Sequence, residues 1–404
     1  MSLHDFAAPG LTRRALFPFG LQGLILISGC ARSGSSGQNV GAVPPPPSPI
    51  DASLQEATQQ LTYKCSQLWG TPNYRLPSQK AWVSYNDDWH SRGDIDFEHG
   101  EFRAQALIDT DTPDETAKAL IMLRKRLADA QNDTPADMAN NDVVMRLTRN
   151  LAAKQNVVVK PPSSSVKSGP PVLAGVLPDD AADKLTSDGV QRTPITGNDG
   201  KPRIMLTYRV PFLDGFYAKL AAPHVDTVRA HSEVYNLPPS LILAVIETES
   251  AFNPRARSSV PAYGLMQIVP QTAGRDASAF ADGAGRDFDP EYLYESGHNI
   301  HLGAAYLKLL ESRYLRDIEN PASRRYATIA GYNTGAGNVA RAFNMTTNMT
   351  SAAHVINQLS PDEVFRRLRD QLPYQETRTY ILAVVDRQSR YLDLDPTMEQ
   401  VSAR

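Results

Sequence analysis

Hydrophobic and polar positions divide the chain into a mixed first half and an almost purely helical second half. In the first half, apolar residues that recur every three or four positions predict helices at 52–69 and about 114–130. Between these helices, short runs of alternating polarity predict strands at 80–86, 94–97 and 101–108, and the last two form a hairpin. This half is therefore expected to fold as a small α+β domain.

Two polar stretches follow, at 160–172 and 187–202, and their Pro, Ser and Gly content predicts loops. Positions 204–212 alternate as a strand does, and this strand is expected to return to the first domain's sheet. Beyond it the helical period dominates. The predicted helices are 223–235, 239–251, 270–280, 296–315, 322–331, 335–343, 361–371 and 376–392. The predicted fold class is thus an α+β N-terminal domain followed by an all-α domain.

The first thirty residues predict export and attachment to a membrane. Arg13 and Arg14 precede an apolar stretch, 15–27, that is too short and too interrupted to remain as a membrane-spanning helix. The stretch ends in small residues before Cys30, which resembles the bacterial lipoprotein signal, in which the cysteine carries the lipid. An ordinary secretory signal that happens to end near a cysteine is the alternative.

The residues after Cys30 predict a tether, because Gly, Ser and Pro dominate and cannot build a core. By resemblance to lipoprotein sorting, Ala31 favours the periplasmic face of the outer membrane. The predicted organisation is a signal peptide at 1–29, a tether at 30–51, the α+β domain at 52–214 and the all-α domain at 215–404.

Composition narrows the possible functions. With 41% apolar and 21% charged residues, the chain has the composition of a globular protein. A net charge of −3 over 404 residues offers no broad basic surface, so a nucleic-acid partner is not expected. Two cysteines exclude a disulfide framework, and Cys65 is expected to be a buried thiol.

The stretch 241–267 carries the candidate chemistry. Its first six residues form a helix body that is apolar enough for burial on most sides, and the helix then presents Glu247 and Glu249. A carboxyl at the C-terminal end of a buried helix has a raised pKa, because burial and the negative end of the helix dipole both disfavour its charge. Such a group suits general acid catalysis near neutral pH. The two glutamates point about 200° apart, so they cannot share one site, and spacing alone favours neither.

Four motifs in a fixed order distinguish the two glutamates. They are Glu-Ser-Ala-Phe-Asn-Pro at 249–254, Gly-Leu-Met-Gln at 264–267, Gly-Tyr-Asn-Thr-Gly-Ala-Gly at 331–337 and Glu-Thr-Arg-Thr-Tyr at 376–380. With Ser258, they resemble the lytic transglycosylases of the soluble-transglycosylase type, whose catalytic domain has a goose-type lysozyme fold. Segments around Trp69 and 94–97 extend the likeness to the membrane-bound lytic murein transglycosylase C subtype, over nearly all of the mature chain.

The resemblance implies a role for each matching position. Glu249 is the acid/base, Ser258 supports it or contacts substrate, and Tyr332 orients its carboxyl. The implied substrate-binding residues are Met266, Gln267, Asn333, Glu376 and Tyr380. Gly331 departs from the alanine usual in the family. Each of these positions could also have a purely structural role. Ser258 could lie on the surface, Met266 could pack in the core, and 332–333 could end a helix. Glu247 is expected to be structural or exposed.

The implied reaction uses a single carboxyl, whereas ordinary glycosidases use two. In the family, the acid protonates the leaving oxygen of the β-1,4 bond between N-acetylmuramic acid and N-acetylglucosamine. It then takes a proton from the muramyl 6-hydroxyl, and a 1,6-anhydro ring closes with help from the N-acetyl group. No metal or other cofactor is expected, since His298 and His301 suggest no third ligand.

Two other functions remain open from the sequence. A hydrolytic goose-type muramidase would need a second carboxylate to activate water, and Asp276, Asp287 and Asp289 lie in an insertion that could approach. The other alternative is a non-catalytic peptidoglycan-binding lipoprotein. The expected partners are peptidoglycan strands and, through the lipid, a membrane, with the protein acting as a monomer. The first domain could guide glycan, bind a protein or act as a spacer.

Overall fold

The computed structural model describes residues 48–162, 169–259 and 261–396. The predicted signal peptide, the lipidation site Cys30 and most of the predicted tether lie outside the described residues.

The first part of the structure is a five-stranded antiparallel sheet covered by helices. Its strand order is β1-β2-β3-β5-β4. The strands are β1 Ala81–Tyr85, β2 Ser91–Asp96, β3 Glu101–Ile108, β4 Gln191–Thr196 and β5 Pro202–Pro211. The helices are α1 Pro49–Trp69, α2 Pro113–Asn132, α3 Pro135–Asn140 and α4 Val143–Lys154. As predicted, β5 returns to this sheet, where it pairs along β3 from Glu101 opposite Pro211 to Ile108 opposite Ile204.

Helix α1 begins earlier than its apolar pattern predicts, inside the expected tether. Ser48 caps it, because its hydroxyl accepts from the Asp51 amide and the Asp51 carboxylate accepts from the Ser48 amide. Pro49 then suits the first helical position. The buried face of α1 includes Leu61, Trp69 and Cys65, and the Cys65 thiol is fully buried, as expected.

The prediction of a loop at 187–202 is wrong, because strand β4 lies within this stretch. This strand has little alternation, and Ile195 is its only buried residue. Its pairing partner β5 creates it, and Pro194 is tolerated because β4 lies at the sheet edge. Helices α3 and α4 were not predicted either, although Thr134 and Asp142 cap their N-termini through side-chain hydrogen bonds.

The second part is all-α, as predicted. Its helices are α5 Phe216–Ala221, α6 Val225–Tyr235, α7 Pro239–Ser250, α8 Arg275–Asp282, α9 Pro290–Tyr294, α10 Ser296–Leu309, α11 Pro321–Thr334, α12 Ala336–Asn344, α13 Met349–Ile356, α14 Pro361–Gln371 and α15 Gln375–Gln388. The short helices α5, α9 and α13 were missed, because one or two turns contain too few residues to show a period.

Helix α7 is the centre of this part. Positions 241–246 are completely buried, as their unbroken apolar run predicts. Glu247 follows them into the interior, where its carboxylate is 3.1 Å from the Arg387 guanidinium and accepts a 2.5 Å hydrogen bond from the Tyr391 hydroxyl. Arg390 also pairs with it. Glu247 is therefore structural, since its charge is neutralised within the core.

A buried group of charges joins the two parts. Asp142, at the start of α4, accepts from Arg255 at 3.0 Å and from Arg257 at 3.1 Å, and Arg255 also pairs with Glu291 at 2.9 Å. Burial alone would raise the pKa of Asp142, but the two guanidinium groups hold it below its usual range. We call these four side chains the interdomain ion cluster. It fixes the segment that follows α7 against the α+β part.

A smaller contact lies at the start of α1. The Gln271 side chain donates to the Asp51 carboxylate at 3.3 Å, so the N-terminal end of the described chain reaches the helical part.

None of the helices in the described part of the chain combines the length and apolar content needed to cross a membrane.

Replacing Asp142 by Asn tests the interdomain ion cluster. We expect Asp142→Asn to lower the free energy of unfolding by about 3–5 kcal/mol, because two buried guanidinium groups would lose their shared counter-charge. Urea unfolding followed by circular dichroism measures this loss. Asp180→Asn, which removes an exposed pair with Lys184, is the matched control and should change stability by less than about 0.5 kcal/mol. Equal stability of both variants would contradict a structural role for the cluster.

Candidate active site

The predicted site residues meet at one pocket of about 390 Å³ in the helical part. Six of the eight line it, namely Glu249, Ser258, Gln267, Tyr332, Asn333 and Glu376. The other two, Met266 and Tyr380, are buried and do not line the pocket. Residues from all four motifs therefore come together around a single cavity.

Glu249 lies in the last turn of α7, and the chain turns sharply just after it. Ala251 and Phe252 have positive φ angles of 49° and 65°, in the left-handed region that non-glycine residues rarely adopt. The Ser250 hydroxyl stabilises this turn by donating to the Ile246 carbonyl at 3.0 Å and accepting from the Phe252 amide at 3.2 Å. The strained turn ends α7 at the position that leaves the Glu249 carboxyl facing the pocket.

Burial raises the pKa of Glu249 to about 7. The Tyr380 hydroxyl and the positive charge of Lys80 act in the opposite direction, while the negative charge of Glu376 raises the pKa further. A carboxyl with this pKa is about half protonated at neutral pH. Glu249 can therefore donate a proton and, once ionised, accept one.

Two tyrosines flank Glu249, the buried Tyr380 and the half-buried Tyr332, and their contacts differ from those expected. The Tyr332 hydroxyl donates to the Met266 carbonyl at 2.8 Å rather than to the Glu249 carboxyl that it was expected to orient. The Tyr380 hydroxyl, expected as a groove residue, lies against Glu249 and lowers its pKa. Burial, reinforced by the charge of Glu249, raises the pKa of both tyrosines well above 10, so both hydroxyls stay neutral.

The loop 263–267 is held by one buried amide. Asn299 accepts from the Met266 amide at 2.7 Å and donates to the Tyr263 and Leu293 carbonyls at 2.8 Å each. The loop passes so close that a Cβ on Gly264 would lie 2.4 Å from the Asn299 amide nitrogen. Asn299 was not among the predicted site residues, because an isolated Asn in a helix has no sequence signature.

The expectation that the Met266 side chain lines the groove is wrong. This side chain is fully buried against Gly303, where a Cβ would lie 2.2 Å from the Met266 sulfur. Met266 instead presents its backbone carbonyl to Tyr332. Its neighbour Gln267, with φ 49°, does line the pocket, and its side chain donates to the Gly264 carbonyl at 3.0 Å. The local pattern could not show which of two adjacent side chains turns inward.

On the opposite wall, Asn333 is held by α15. The Thr377 hydroxyl, which is buried, donates to the Asn333 side-chain oxygen at 2.7 Å. This bond leaves the Asn333 amide NH₂ available as a donor, and it links the motifs at 331–337 and 376–380. Alanine or glycine would fit at position 331, because a Cβ there would meet Leu310 at 3.6 Å and Val339 at 3.8 Å, which are ordinary van der Waals contacts.

Two other carboxylates line the pocket. Glu376 is exposed at the N-terminal end of α15, and Asp276 lies on α8. Burial raises the pKa of Asp276, while Arg275 and Arg313 oppose that rise. The other two aspartates of the predicted insertion, Asp287 and Asp289, do not line the pocket.

Two short π-helical turns also shape the pocket. They span Pro270–Gly274 and Leu310–Tyr314, and both supply lining residues, among them Thr272 and Leu310. Such wide turns shift side chains out of the α-helical register and are frequent at functional sites. Periodicity at 270–280 and 296–315 predicted continuous helices here and could not reveal these turns.

The α+β part contributes one wall residue that the sequence did not indicate. Gln79, just before β1, lines the pocket with Glu249. Asn253 fixes this segment by donating to the Ser78 and Gln79 carbonyls at 3.2 and 3.1 Å. Because the two segments are 174 positions apart, only tertiary structure shows that they meet.

Ser258 lies on the pocket wall, and its amide donates to the Ala262 carbonyl at 3.2 Å.

Within the described ranges, no group of three or more His, Cys, Asp or Glu side chains is placed to hold a metal ion. His301 contacts the Tyr235 hydroxyl at 3.3 Å.

Two family models match this chain in succession. Residues 49–148 match the N-terminal domain of membrane-bound lytic murein transglycosylase C, and residues 226–355 match the transglycosylase SLT domain.

Relatives that match most of this chain are named membrane-bound lytic murein transglycosylase C. The membrane-bound lytic murein transglycosylase C of Klebsiella pneumoniae is 28% identical over 340 residues, which is 82% of this chain and 87% of the relative. The protein of that name from Yersinia enterocolitica is 29% identical over 332 residues, or 82% and 88%.

Solved structures give a weaker likeness. An inactive mutant of the lytic transglycosylase Slt from Pseudomonas aeruginosa is 27% identical, with a TM-score of 0.33 over 43% of this chain and 25% of that chain. The 70 kDa soluble lytic transglycosylase of Escherichia coli is 23% identical, with a TM-score of 0.32 over 43% and 26%.

The pKa of Glu249 can be measured directly. We expect one glutamate carboxyl signal to titrate with a midpoint of about 7, in place of the ordinary 4.5, in carbon-13 NMR of protein with labelled Glu side chains. Glu249→Gln should remove that signal. Tyr380→Phe should move it to higher pH, because the hydroxyl favours the ionised carboxylate. A Glu249 signal that titrates near 4.5 would contradict the proposed burial.

Proposed function

We infer that this chain, which belongs to the membrane-bound lytic murein transglycosylase C family, is a lytic transglycosylase that acts on peptidoglycan. Residues 215–404 are the proposed catalytic domain. The observation that carries the site assignment is the carboxyl of Glu249, which faces the pocket with a pKa of about 7.

In the proposed first step, Glu249 is the general acid. Its protonated carboxyl donates the proton to the glycosidic oxygen as the bond from that oxygen to C1 of N-acetylmuramic acid breaks. The neighbouring N-acetyl oxygen bonds to C1 and compensates the positive charge that develops there. Burial supports this role, because it keeps a useful fraction of Glu249 protonated near neutral pH.

In the proposed second step, the same residue is the base. The Glu249 carboxylate takes the proton from the muramyl 6-hydroxyl, and the 6-oxygen bonds to C1 as the N-acetyl oxygen leaves. The product is a 1,6-anhydromuramyl end, no water is consumed, and Glu249 returns to its protonated form. One residue can perform both steps because its pKa lies near the working pH.

The remaining pocket residues support binding and orientation. Asn333, held by Thr377, and Gln267 present amide groups that can bind the sugar N-acetyl and hydroxyl groups. Ser258 and Glu376 line the pocket beside them. We assign Tyr380 the task of orienting the Glu249 carboxyl, and Tyr332 that of fixing the loop at Met266.

We also propose that the protein is held at the periplasmic face of the outer membrane by a lipid on Cys30 and acts as a monomer. The relatives are named membrane-bound, which supports membrane association. The small residues before Cys30 support lipidation of that cysteine.

Replacing Glu249 tests the reaction and its acid/base together. Purified peptidoglycan digested by the mature protein should release anhydromuramyl products, detected by mass spectrometry. Glu249→Gln should lower the rate by at least about 10³-fold, because no other group supplies the proton. Glu56→Gln, on an exposed face of α1, is the matched control and should remain fully active.

Reducing ends in place of anhydro ends would instead identify a hydrolase, with Asp276 or Glu376 as the first candidates for activating water. Binding without products from the wild-type protein would favour a non-catalytic lipoprotein.

The proposed anchor is tested by Cys30→Ala in the full chain. We expect the wild-type protein to fractionate with outer membranes and to incorporate labelled palmitate, and the variant to do neither. A Cys30→Ala protein that still fractionates with membranes after a high-salt wash would contradict the lipid anchor.

A further inference from the structure

One end of the catalytic pocket carries a positive charge. Arg341, on α12, lines the same pocket as Glu249, and within the described ranges it is the only Arg, Lys or His side chain to do so. The other ionisable carboxyl groups of the lining are those of Glu249, Asp276 and Glu376. These carboxyls disfavour a negatively charged group of a bound substrate, so Arg341 marks the end of the pocket that attracts one.

A buried amide holds the Arg341 guanidinium in place. Arg341 donates to the Asn338 side-chain oxygen at 2.6 Å. The Asn338 side chain donates in turn to the Thr334 carbonyl at 2.9 Å and to the Thr334 hydroxyl at 3.1 Å, and only 4% of Asn338 is exposed. Since Thr334 directly follows the proposed sugar-binding residue Asn333, the positive charge has a defined place relative to the site.

The hydrogen-bond partner of Arg341 is neutral. Within the described ranges, no Asp or Glu carboxylate forms an ion pair with Arg341, so the positive charge has no counter-charge there. Arg341 is also exposed, which lets a ligand reach it. A planar guanidinium whose other N–H groups are available binds a carboxylate through two parallel hydrogen bonds.

A polar turn completes this end of the pocket. Thr347, between α12 and α13, also lines the pocket and packs against Gly337, where a Cβ would lie 3.5 Å from the Thr347 Cβ. The Asn344 side chain fixes the turn, since it accepts from the Thr346 amide at 2.9 Å and donates to the Asn348 carbonyl at 2.9 Å. The end of the pocket that contains Arg341 is therefore built from polar residues with fixed positions.

We propose that Arg341 binds a carboxylate on the lactyl side chain that N-acetylmuramic acid carries at its 3-oxygen. In a strand without peptide stems the lactyl carboxylate itself is free, and in a strand with stems the peptide supplies carboxylates of its own. N-acetylglucosamine has no such side chain, so this contact sets which of the two alternating sugars lies at each position of the pocket. Arg341 is then a specificity-determining residue. The inference rests on the proposed function, since it takes peptidoglycan as the substrate.

Binding of short glycans tests this contact without depending on turnover. The probes are tetrasaccharides of alternating N-acetylglucosamine and N-acetylmuramic acid, with and without peptide stems, each also prepared with its carboxyls converted to amides. Calorimetric titration measures their Kd for the mature Glu249→Gln protein, the parent in this test. We expect amidation of the probe that supplies the carboxylate to raise Kd about tenfold. Adding Arg341→Gln should raise Kd for the acid form by the same factor and leave Kd for the amide form unchanged.

Matched variants separate recognition of the carboxylate from structure. Arg341→Lys keeps the charge but not the paired N–H groups, so it should keep a smaller difference in Kd between acid and amide forms. Arg316→Gln removes an exposed arginine outside the pocket lining and should bind every probe as the parent does. A purely structural role of Arg341 would weaken binding of the acid and amide forms alike.

An acid–amide difference that disappears with Arg341→Gln supports the proposal, and the probe that shows it identifies the stem or the lactyl group as the source of the carboxylate. Equal Kd of the parent for acid and amide forms of both kinds of probe would overturn the proposal, as would an equal loss of binding to the amide forms. Should Arg341→Gln fail to fold, the reduced difference expected of Arg341→Lys decides. Failure of the proposed function would show separately, as an absence of anhydromuramyl products from the wild-type protein.

Discussion

The arrangement of the site depends on a few buried charges that must be neutralised in place. Asp142 can remain ionised in the interior only because Arg255 and Arg257 lie against it, and Arg255 also needs Glu291. Both arginines lie in the segment that leaves α7 just after Glu249. The requirement to pair these charges therefore fixes where that segment runs, and with it the direction in which the last turn of α7 presents its carboxyl.

The same principle gives the two glutamates of α7 different properties. Glu247 and Glu249 are two positions apart, yet Glu247 has two arginines and a tyrosine as partners, whereas the charged groups that act on Glu249, Lys80 and Glu376, have opposite signs and opposite effects on its pKa. The first remains a structural anion inside the core. The second is about half protonated at neutral pH, because Tyr380 and Lys80 offset only part of the rise in pKa that burial causes. The charged and hydrogen-bonding partners of each carboxyl therefore determine whether it has a structural role or can act as an acid.

The sequence indicates some parts of this arrangement and omits others for physical reasons. The apolar run at 241–246 predicts a buried helix because burial on all sides leaves no other pattern, and the motifs around Glu249, Gln267 and Asn333 predict residues that do line the pocket. The sequence could not reveal strand β4, which forms only because β5 offers an edge. It also could not reveal the contacts of Asn299, Thr377 and Gln79, because their partners are distant in the chain. Met266 was misassigned to the groove wall because it and its neighbour Gln267 share one local pattern and differ only in tertiary contacts.

The contact between Asp51 and Gln271 determines which side of the molecule an N-terminal attachment would join. Gln271 immediately precedes Thr272, a residue of the pocket wall, so the described chain begins at the rim of the cleft and not on the far side of the molecule. The proposed anchor would therefore join the molecule on the side of the cleft, and the length of the predicted tether would set how far the cleft can reach from the anchoring surface.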